Sequence, residues 1–350
     1  MTPIRGYPVI VLGVTFLTWL VCGIAITYTR GLPPLSPQVR LAHLPPLDLA
    51  RVGITPAEAA YKGSLEVDPT GLVLVMIMDR PAYLFSGREP ATVFADTGDR
   101  LVELGPAGTE RIAAEFMNLP QERVHDAGVR NDLHEIKVDD DAHTQLYVSA
   151  KTGEVVGLTT RRSRALAWLP VPVFANGSDG DIGGETLNLS AFGGIDVNAL
   201  SYVLEGRAPK EIGFLRIEGA PYFLVSGVRD VPLLVTTKSQ SGENLLHLDE
   251  PAVLEIRREP FSAESLVSHV RQAIPGTPIV ESAVLTQYDS YYQPKSAPRP
   301  LPVLRIKLDD PDKTWIYIDP RTSQVILRQT RMGRIERWIY PTFCEYIRCQ

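Results

Sequence analysis

Leu304–Trp338 reads LRIKLDDPDKTWIYIDPRTSQVILRQTRMGRIERW, and its apolar residues alternate with polar ones: Ile306 and Leu308, then Trp315 and Tyr317, then Val325 and Leu327. A period of two belongs to strands with one buried face. Asp309, Asp310 and Pro311 stand between the first two runs, and Asp319 to Ser323 between the last two. Aspartate and serine side chains bond nearby backbone and proline fixes φ, so both segments read as turns. The stretch is a three-stranded β-meander.

It occurs twice. Ile136–Trp168 (IKVDDDAHTQLYVSAKTGEVVGLTTRRSRALAW) aligns with Ile306–Trp338 at a constant offset of 170 without a gap, and 12 of the 33 pairs are identical, Asp140/Asp310, Tyr147/Tyr317, Arg164/Arg334 and Trp168/Trp338 among them. Turn residues match turn residues and inward positions match inward positions. The chain therefore contains one supersecondary unit two times.

The phrase Tyr147-Val-Ser149-Ala-Lys-Thr152-Gly153-Glu-Val-Val, with its partner Tyr317-Ile-Asp319-Pro320-Arg-Thr322-Ser323-Gln-Val-Ile, resembles the end of a PepSY domain. That pattern is an aromatic, an alternating strand, an Asp-x-x-Thr-Gly turn and a closing strand. Each copy departs from it once, at Ser149 and at Ser323, where serine still bonds a turn backbone. Leu44-Pro-Pro-Leu-Asp48, Arg80-Pro-Ala-Tyr83, Val93-Phe-Ala-Asp-Thr-Gly98, Tyr288-Asp-Ser-Tyr-Tyr292, Leu301-Pro-Val-Leu-Arg305 and Arg334-x-x-Arg337-Trp338 are similar to the PepSY-domain membrane proteins in particular. The resemblance covers most of Pro45–Tyr340.

Composition sets outer bounds. The 350 residues, 44% hydrophobic and 22% charged, are enough for more than one folded core. A net charge of -6 without a basic cluster leaves no footprint for nucleic acid. Three cysteines are too few for a disulfide scaffold. Cys22 lies in an apolar run, so only Cys344 and Cys349 are left to pair.

Pro8–Tyr28 holds 21 residues without a charge, the length of a membrane-crossing helix. Trp19-Leu20-Val21 before Cys22 lacks the small residues of a cleavage site, so the segment reads as an uncleaved anchor. Arg5 lies on one side and Arg30 and Arg40 on the other, and charge does not orient it. The resemblance implies a single-pass protein of the bacterial inner membrane, in contact with the lipid bilayer and with its folded part periplasmic or extracellular.

Residues 29–50 read as a proline-rich tether, 51–169 as a first PepSY-like unit, 170–199 as a linker and 200–338 as a second unit. Thr55-Pro56-Ala57-Glu58 is a helix start. Strands are expected over Leu72–Met78, Ala82–Phe85 and Thr92–Ala95, with turns at Arg80-Pro81 and Ser86-Gly87, and a helix over Thr109–Met117. The order recurs at Ile212–Ile217, Tyr222–Val225 and Leu233–Thr237, with Ser262 capping a helix over Ala263–Ala273. One helix over an antiparallel sheet, made twice behind a transmembrane helix, is an α+β architecture. Residues 339–350 diverge from the family, whose Arg-Trp-Leu-Tyr segment leads on to further membrane helices, and read as a truncated or frame-shifted tail.

No nucleophile, zinc or P-loop motif occurs in the sequence. The six histidines (His43, His125, His134, His143, His247, His269) lack close ligand spacing, and His134 and His143 read as exposed strand-edge residues. Asp139–Asp141 and Asp309, Asp310 and Asp312 read as turn carboxylates rather than a calcium cage. No cofactor or metal is expected. Some relatives hold haem on histidines in membrane helices, so a truncated relative of a haem-containing redox protein linked to siderophore-iron reduction is the alternative. The candidate interaction surface is Tyr288, Asp289, Tyr291, Tyr292, Arg334 and Arg337, since tyrosines give large amphipathic contact area, and the alternative is that Tyr288 and Tyr291 simply pack on the second sheet. Arg334 and Arg337, like Arg161 and Arg164, are read as helix-end residues or as partners of lipid headgroups. The expected partner is an envelope protein or peptide, bound without chemistry.

Overall fold

The computed structural model describes residues 13, 16, 35–65, 69–168, 187–193, 195–228, 231–238, 253–294 and 298–335. In the first half the elements are α1 (Pro37–His43), α2 (Pro56–Lys62), β1 (Gly71–Ile77), β2 (Arg80–Ser86), β3 (Ala91–Phe94), α3 (Pro106–Met117), β4 (Val124–Arg130), β5 (Leu133–Val138), β6 (Gln145–Ser149), β7 (Val155–Thr159) and α4 (Arg161–Trp168). The second half adds α5 (Leu200–Val203), β8 (Glu211–Ile217), β9 (Ala220–Ser226), β10 (Leu233–Lys238), β11 (Val253–Ile256), α6 (Ala263–Ala273), β12 (Ile279–Leu285), β13 (Val303–Leu308), β14 (Trp315–Asp319) and β15 (Gln324–Gln329).

These strands form a seven-stranded sheet, β11-β10-β9-β8-β1-β2-β3, and two four-stranded sheets, β4-β5-β6-β7 and β12-β13-β14-β15. Two compact units result. One is Pro37–Leu104 with Asn176–Gln350, the other Met1–Ser36 with Gly105–Ala175. This division cuts across the boundaries read from the sequence, because β1 from the first half pairs with β8 from the second, Leu72 opposite Phe214 and Leu74 opposite Ile212.

In the larger unit, alternation along β1, β2, β8 and β9 sends Leu72, Leu74, Tyr83, Phe85, Ile212, Phe214 and Phe223 to one face, where α2 and the turns around Leu189–Ala199 cover them. Phe192, Phe214 and Phe223 meet edge to face there at 5.3–5.6 Å. Burying each ring contributes about 1.5–3 kcal/mol. Thr55 caps α2 with a reciprocal box, its Oγ1 accepting from Glu58 N and Glu58 Oε2 accepting from Thr55 N. On the other face, Ile217, Tyr222, Leu224 and Leu234 share a core with Leu266 and Val270 of α6 and with Leu304, Ile306, Ile316 and Ile318 of the four-stranded sheet. Ser262 caps α6 by accepting from Ser265 N.

In the smaller unit α3 lies on β4, β5 and β6 and buries Ile112, Ala113 and Phe116, while the strands bury Ile136, Leu146 and Val148. Its sheet and the sheet β12–β15 share strand order and register. Ile136 faces Leu146 as Ile306 faces Ile316. The closing strand of each carries one extra residue, Val156 in β7 and Ile326 in β15.

The α+β expectation is overturned. The described residues are mostly β, fifteen strands in three antiparallel sheets with few short helices, and no helix among them is long and apolar enough to cross a membrane. The physical reason is that the leading strands of both halves, read as parts of separate helix-on-sheet units, zip together edge to edge into the largest layer of the fold. Residues 8–28, read as the transmembrane helix, lie outside the described residues save Gly13 and Phe16, as do most of the linker and the tail. The first turn is also displaced: Arg80 and Pro81 belong to β2, and Met78 and Asp79, both at positive φ (52° and 60°), make the two-residue hairpin.

Candidate functional site

The loop 286–302 between β12 and β13 is anchored by Asp289. Its Oδ1 accepts from Tyr291 N (2.8 Å) and Tyr292 N (2.6 Å), a side-chain mimic of a backbone turn. Its Oδ2 accepts from Arg305 Nη1 (2.8 Å) and Tyr317 Oη (3.3 Å). Burial works to raise the carboxyl's pKa, but the two backbone N–H groups and the Arg305 guanidinium outweigh it and hold Asp289 below the ordinary carboxylate value.

The turn folds the tyrosines onto the sheet. Tyr292 stacks on Tyr317 with centroids 4.9 Å apart and 14° between the planes, both are 0% exposed, and Tyr292 Oη donates to Pro300 O (2.8 Å). Burial pushes both phenols well above their ordinary pKa. Val303 and Leu327 complete this small core. Tyr292 is therefore a packing residue, and the exposed arm of the cluster is Tyr288, 41% exposed, with its hydroxyl donating to Arg299 O (2.9 Å).

Beside it lies Trp315. Tyr291 meets its ring edge to face at 5.0 Å, and Arg334, Lys307 and Arg305 lie over it at 4.3, 4.5 and 5.4 Å. Glu281 answers two of these cations, accepting from Arg305 Nη2 and Lys307 Nζ at 2.7 Å each. The hydrogen bonds from Lys307 and Arg305 hold Glu281 below its ordinary pKa. Arg299 Nη1, Arg305 Nε and Gln329 Oε1 are buried in this region with no hydrogen-bond partner.

Placement differs from the sequence expectation in several respects. Tyr288, Asp289, Tyr291 and Tyr292 do come together, and Arg334 joins them through Trp315. Arg334 lies in the short helical stretch 331–335 and is buried, its Nη1 donates to Gln329 O (3.0 Å), and burial lowers its pKa. Arg337 lies outside the described residues. Sequence reading missed Trp315, Arg305 and Arg299. Alternation places Trp315 on the same face as Tyr317, a signal already in the sequence.

His134 is buried rather than exposed, with Nδ1 against Asp126 Oδ2. Asp126 N donates to Glu110 Oε1 (2.9 Å), and Thr109 Oγ1 lies 3.4 Å from Asp126 Oδ2. The turn carboxylates act as turn carboxylates: Asp140 accepts from Thr144 N and Oγ1, and Asp310 from Thr314 N and Oγ1, at 2.6–2.7 Å. Among the described residues, no group of three or more histidine, cysteine, aspartate or glutamate side chains is placed to hold a metal ion.

The motif residues behind the family resemblance likewise do structural work. Arg80 donates through Nε and Nη2 to both oxygens of Asp96 (2.8 and 2.6 Å) and lies 3.9 Å over the Phe94 ring, while Tyr83 Oη donates to Ile54 O (2.9 Å). Comparison of the chain with family models, curated proteins and solved structures returns no significant match.

Proposed function

We propose that this chain is a PepSY-like, non-catalytic binding or regulatory module, membrane-anchored at the bacterial inner membrane with its folded part outside the cytoplasm. On this reading it takes a protein or peptide of the envelope on the face formed by the loop 286–302 and Trp315.

One observation carries the reading. The two four-stranded sheets are built alike, yet β4 and β5 are joined by the two-residue turn Asn131–Asp132, whereas β12 and β13 are joined by the loop 286–302 with Tyr288, Tyr291 and Tyr292. Trp315 and Arg305 have Gln145 and Glu135 at the matching positions. A loop that only one of two like sheets possesses is not required by the sheet, and loops on a rigid scaffold are where recognition concentrates. The cluster also has the composition of an interface core, aromatic residues with arginine.

The test is a photo-crosslinking residue placed at position 288 in cells. A discrete envelope-protein adduct is expected, lost when Trp315→Ala is added and missing when the crosslinker replaces Tyr202, which is 86% exposed elsewhere in the larger unit. Equal adducts at 288 and 202 count against the face. A haem absorbance band in the purified chain would favour the redox relative instead.

A further inference from the structure

The partner class follows from the strand that leads into this loop. β12 is the outermost strand of its sheet, and among the described strands β13 alone pairs with it. An edge strand presents a row of main-chain donors and acceptors, and proteins usually blunt such edges with lysine, proline, a bulge or a cover. The seven residues of β12, IVESAVL, include no lysine, arginine, proline or glycine, and Val280 and Val284 are 67% and 50% exposed.

The like strand of the smaller unit is treated differently. β4 is broken in its middle, between Asp126 and Val129, where Gly128 takes a φ of 122°. In β12 the irregularity falls at Val280, near its start, and Glu281–Leu285 run in unbroken register against Lys307–Val303. Of two equivalent edges, one is bulged at its centre and the other only near its start.

We infer that Glu281–Leu285 captures an extended segment of the partner as an added antiparallel strand, with its end reaching Tyr288. This rests on the reading of the adjoining face as the binding site. Five paired residues span about 17 Å. A contact that long and one strand wide covers on the order of a few hundred Å², short of the roughly 1,200–2,000 Å² that two folded bodies need for a stable complex, so a second copy of this chain is a poor occupant and a single peptide segment fits. Backbone hydrogen bonds would supply affinity and alternate side chains specificity. Ser282 and Val284 face the same way as their partners Ile306 and Leu304, so the captured segment needs β-branched or other apolar residues at every second position.

A random heptapeptide library displayed on phage, panned against the full chain in detergent micelles, tests this. The recovered peptide is then synthesised with and without N-methylation at alternate backbone amides. The expected peptide alternates apolar residues and binds at least tenfold more weakly when methylated in one of the two alternating phases. It loses a similar factor with Val280→Lys or Val284→Lys, variants at exposed positions whose folding is checked by circular dichroism. A peptide indifferent to methylation but lost with Tyr288→Ala would overturn strand addition and keep the binding face. A peptide indifferent to all of these changes, or no recovered peptide, would overturn both.

Discussion

His134 in β5 and Leu304 in β13 hold the same place in their two sheets, His134 opposite Val148 and Leu304 opposite Ile318. Leu304 lies in an apolar core, whereas His134 is buried against Asp126. The helices differ in the same sense, since Thr109 and Leu266 each stand four residues after their caps and both are buried. A buried polar group is costly when its partner is removed, and a whole buried network is often no more stable than an apolar replacement. Asp126→Ala is therefore expected to cost about 1–3 kcal/mol in urea unfolding. The triple change Thr109→Leu, Asp126→Ser, His134→Leu, which copies Leu266, Ser282 and Leu304, is expected to unfold no earlier than the wild type. A triple variant weaker than Asp126→Ala would show that the cluster stabilises the helix on its sheet.

The tyrosines divide into packing and exposed members. Tyr292→Ala empties a fully buried ring site stacked on Tyr317 and is expected to cost about 3–5 kcal/mol. Tyr288→Ala removes a partly exposed ring, 41% of it accessible, and is expected to cost about 1 kcal/mol while weakening partner binding. Thermal melts of the two variants check the contrast, and equal losses would place Tyr288 in the fold rather than the site.

Acid sensitivity has a definite direction. Burial works to raise the carboxyls of Asp140 and Asp310, but the paired hydrogen bonds from Thr144 and Thr314 hold both below the ordinary carboxylate value. The unfolded chain therefore binds protons first as pH falls. Their contribution is complete above the ordinary aspartate value of about 3.9 and is lost as pH drops through the lower folded values. Asp140→Asn with Asp310→Asn should lower the melting temperature at neutral pH and flatten its further fall below about pH 4. An unchanged acid slope would assign the loss to other carboxylates.

Arg80 and Asp96 offer a sharper probe of geometry. The two-pronged bond and the stacking on Phe94 need a planar guanidinium, so Arg80→Lys, which keeps the charge, is expected to cost about 1–2 kcal/mol. The hydrogen bond from Arg80 is the largest cause of the low Asp96 pKa. In the variant that pKa should rise toward the ordinary value, measurable by carboxyl carbon titration in NMR.

Local features of the fold were legible in the sequence where a side chain acts on its own neighbourhood. Ser262 and Thr55 announce their helices because capping involves residues three positions apart, and Asp310 announces its turn because it bonds Thr314. The pairing of Leu72 with Phe214 was not legible, since alternation fixes which face a residue takes but not which edge meets which. The turn at Met78–Asp79 was hidden because Pro81 looks like a turn residue, yet it sits as the second residue of β2. His134 looked exposed because Asp126 and Thr109, the groups that make its burial tolerable, come from other elements. Within the loop there is no period to separate Tyr292 from Tyr288, so which of them faces inward follows from the Asp289 turn alone.

The seam between β1 and β8 has a consequence for biosynthesis. A ribosome that has finished Thr159 has supplied every strand of the sheet β4–β7, but β1, β2 and β3 still wait for a neighbour that begins at Glu211. During that interval the side chains of Leu72 and Leu74 lack the Phe214 and Ile212 that later lie opposite them, and the bare edge is open to wrong pairings. The earliest strands made are thus among the last to be sealed, so a nascent chain stalled between these two points is the form most exposed to aggregation and most in need of a holdase.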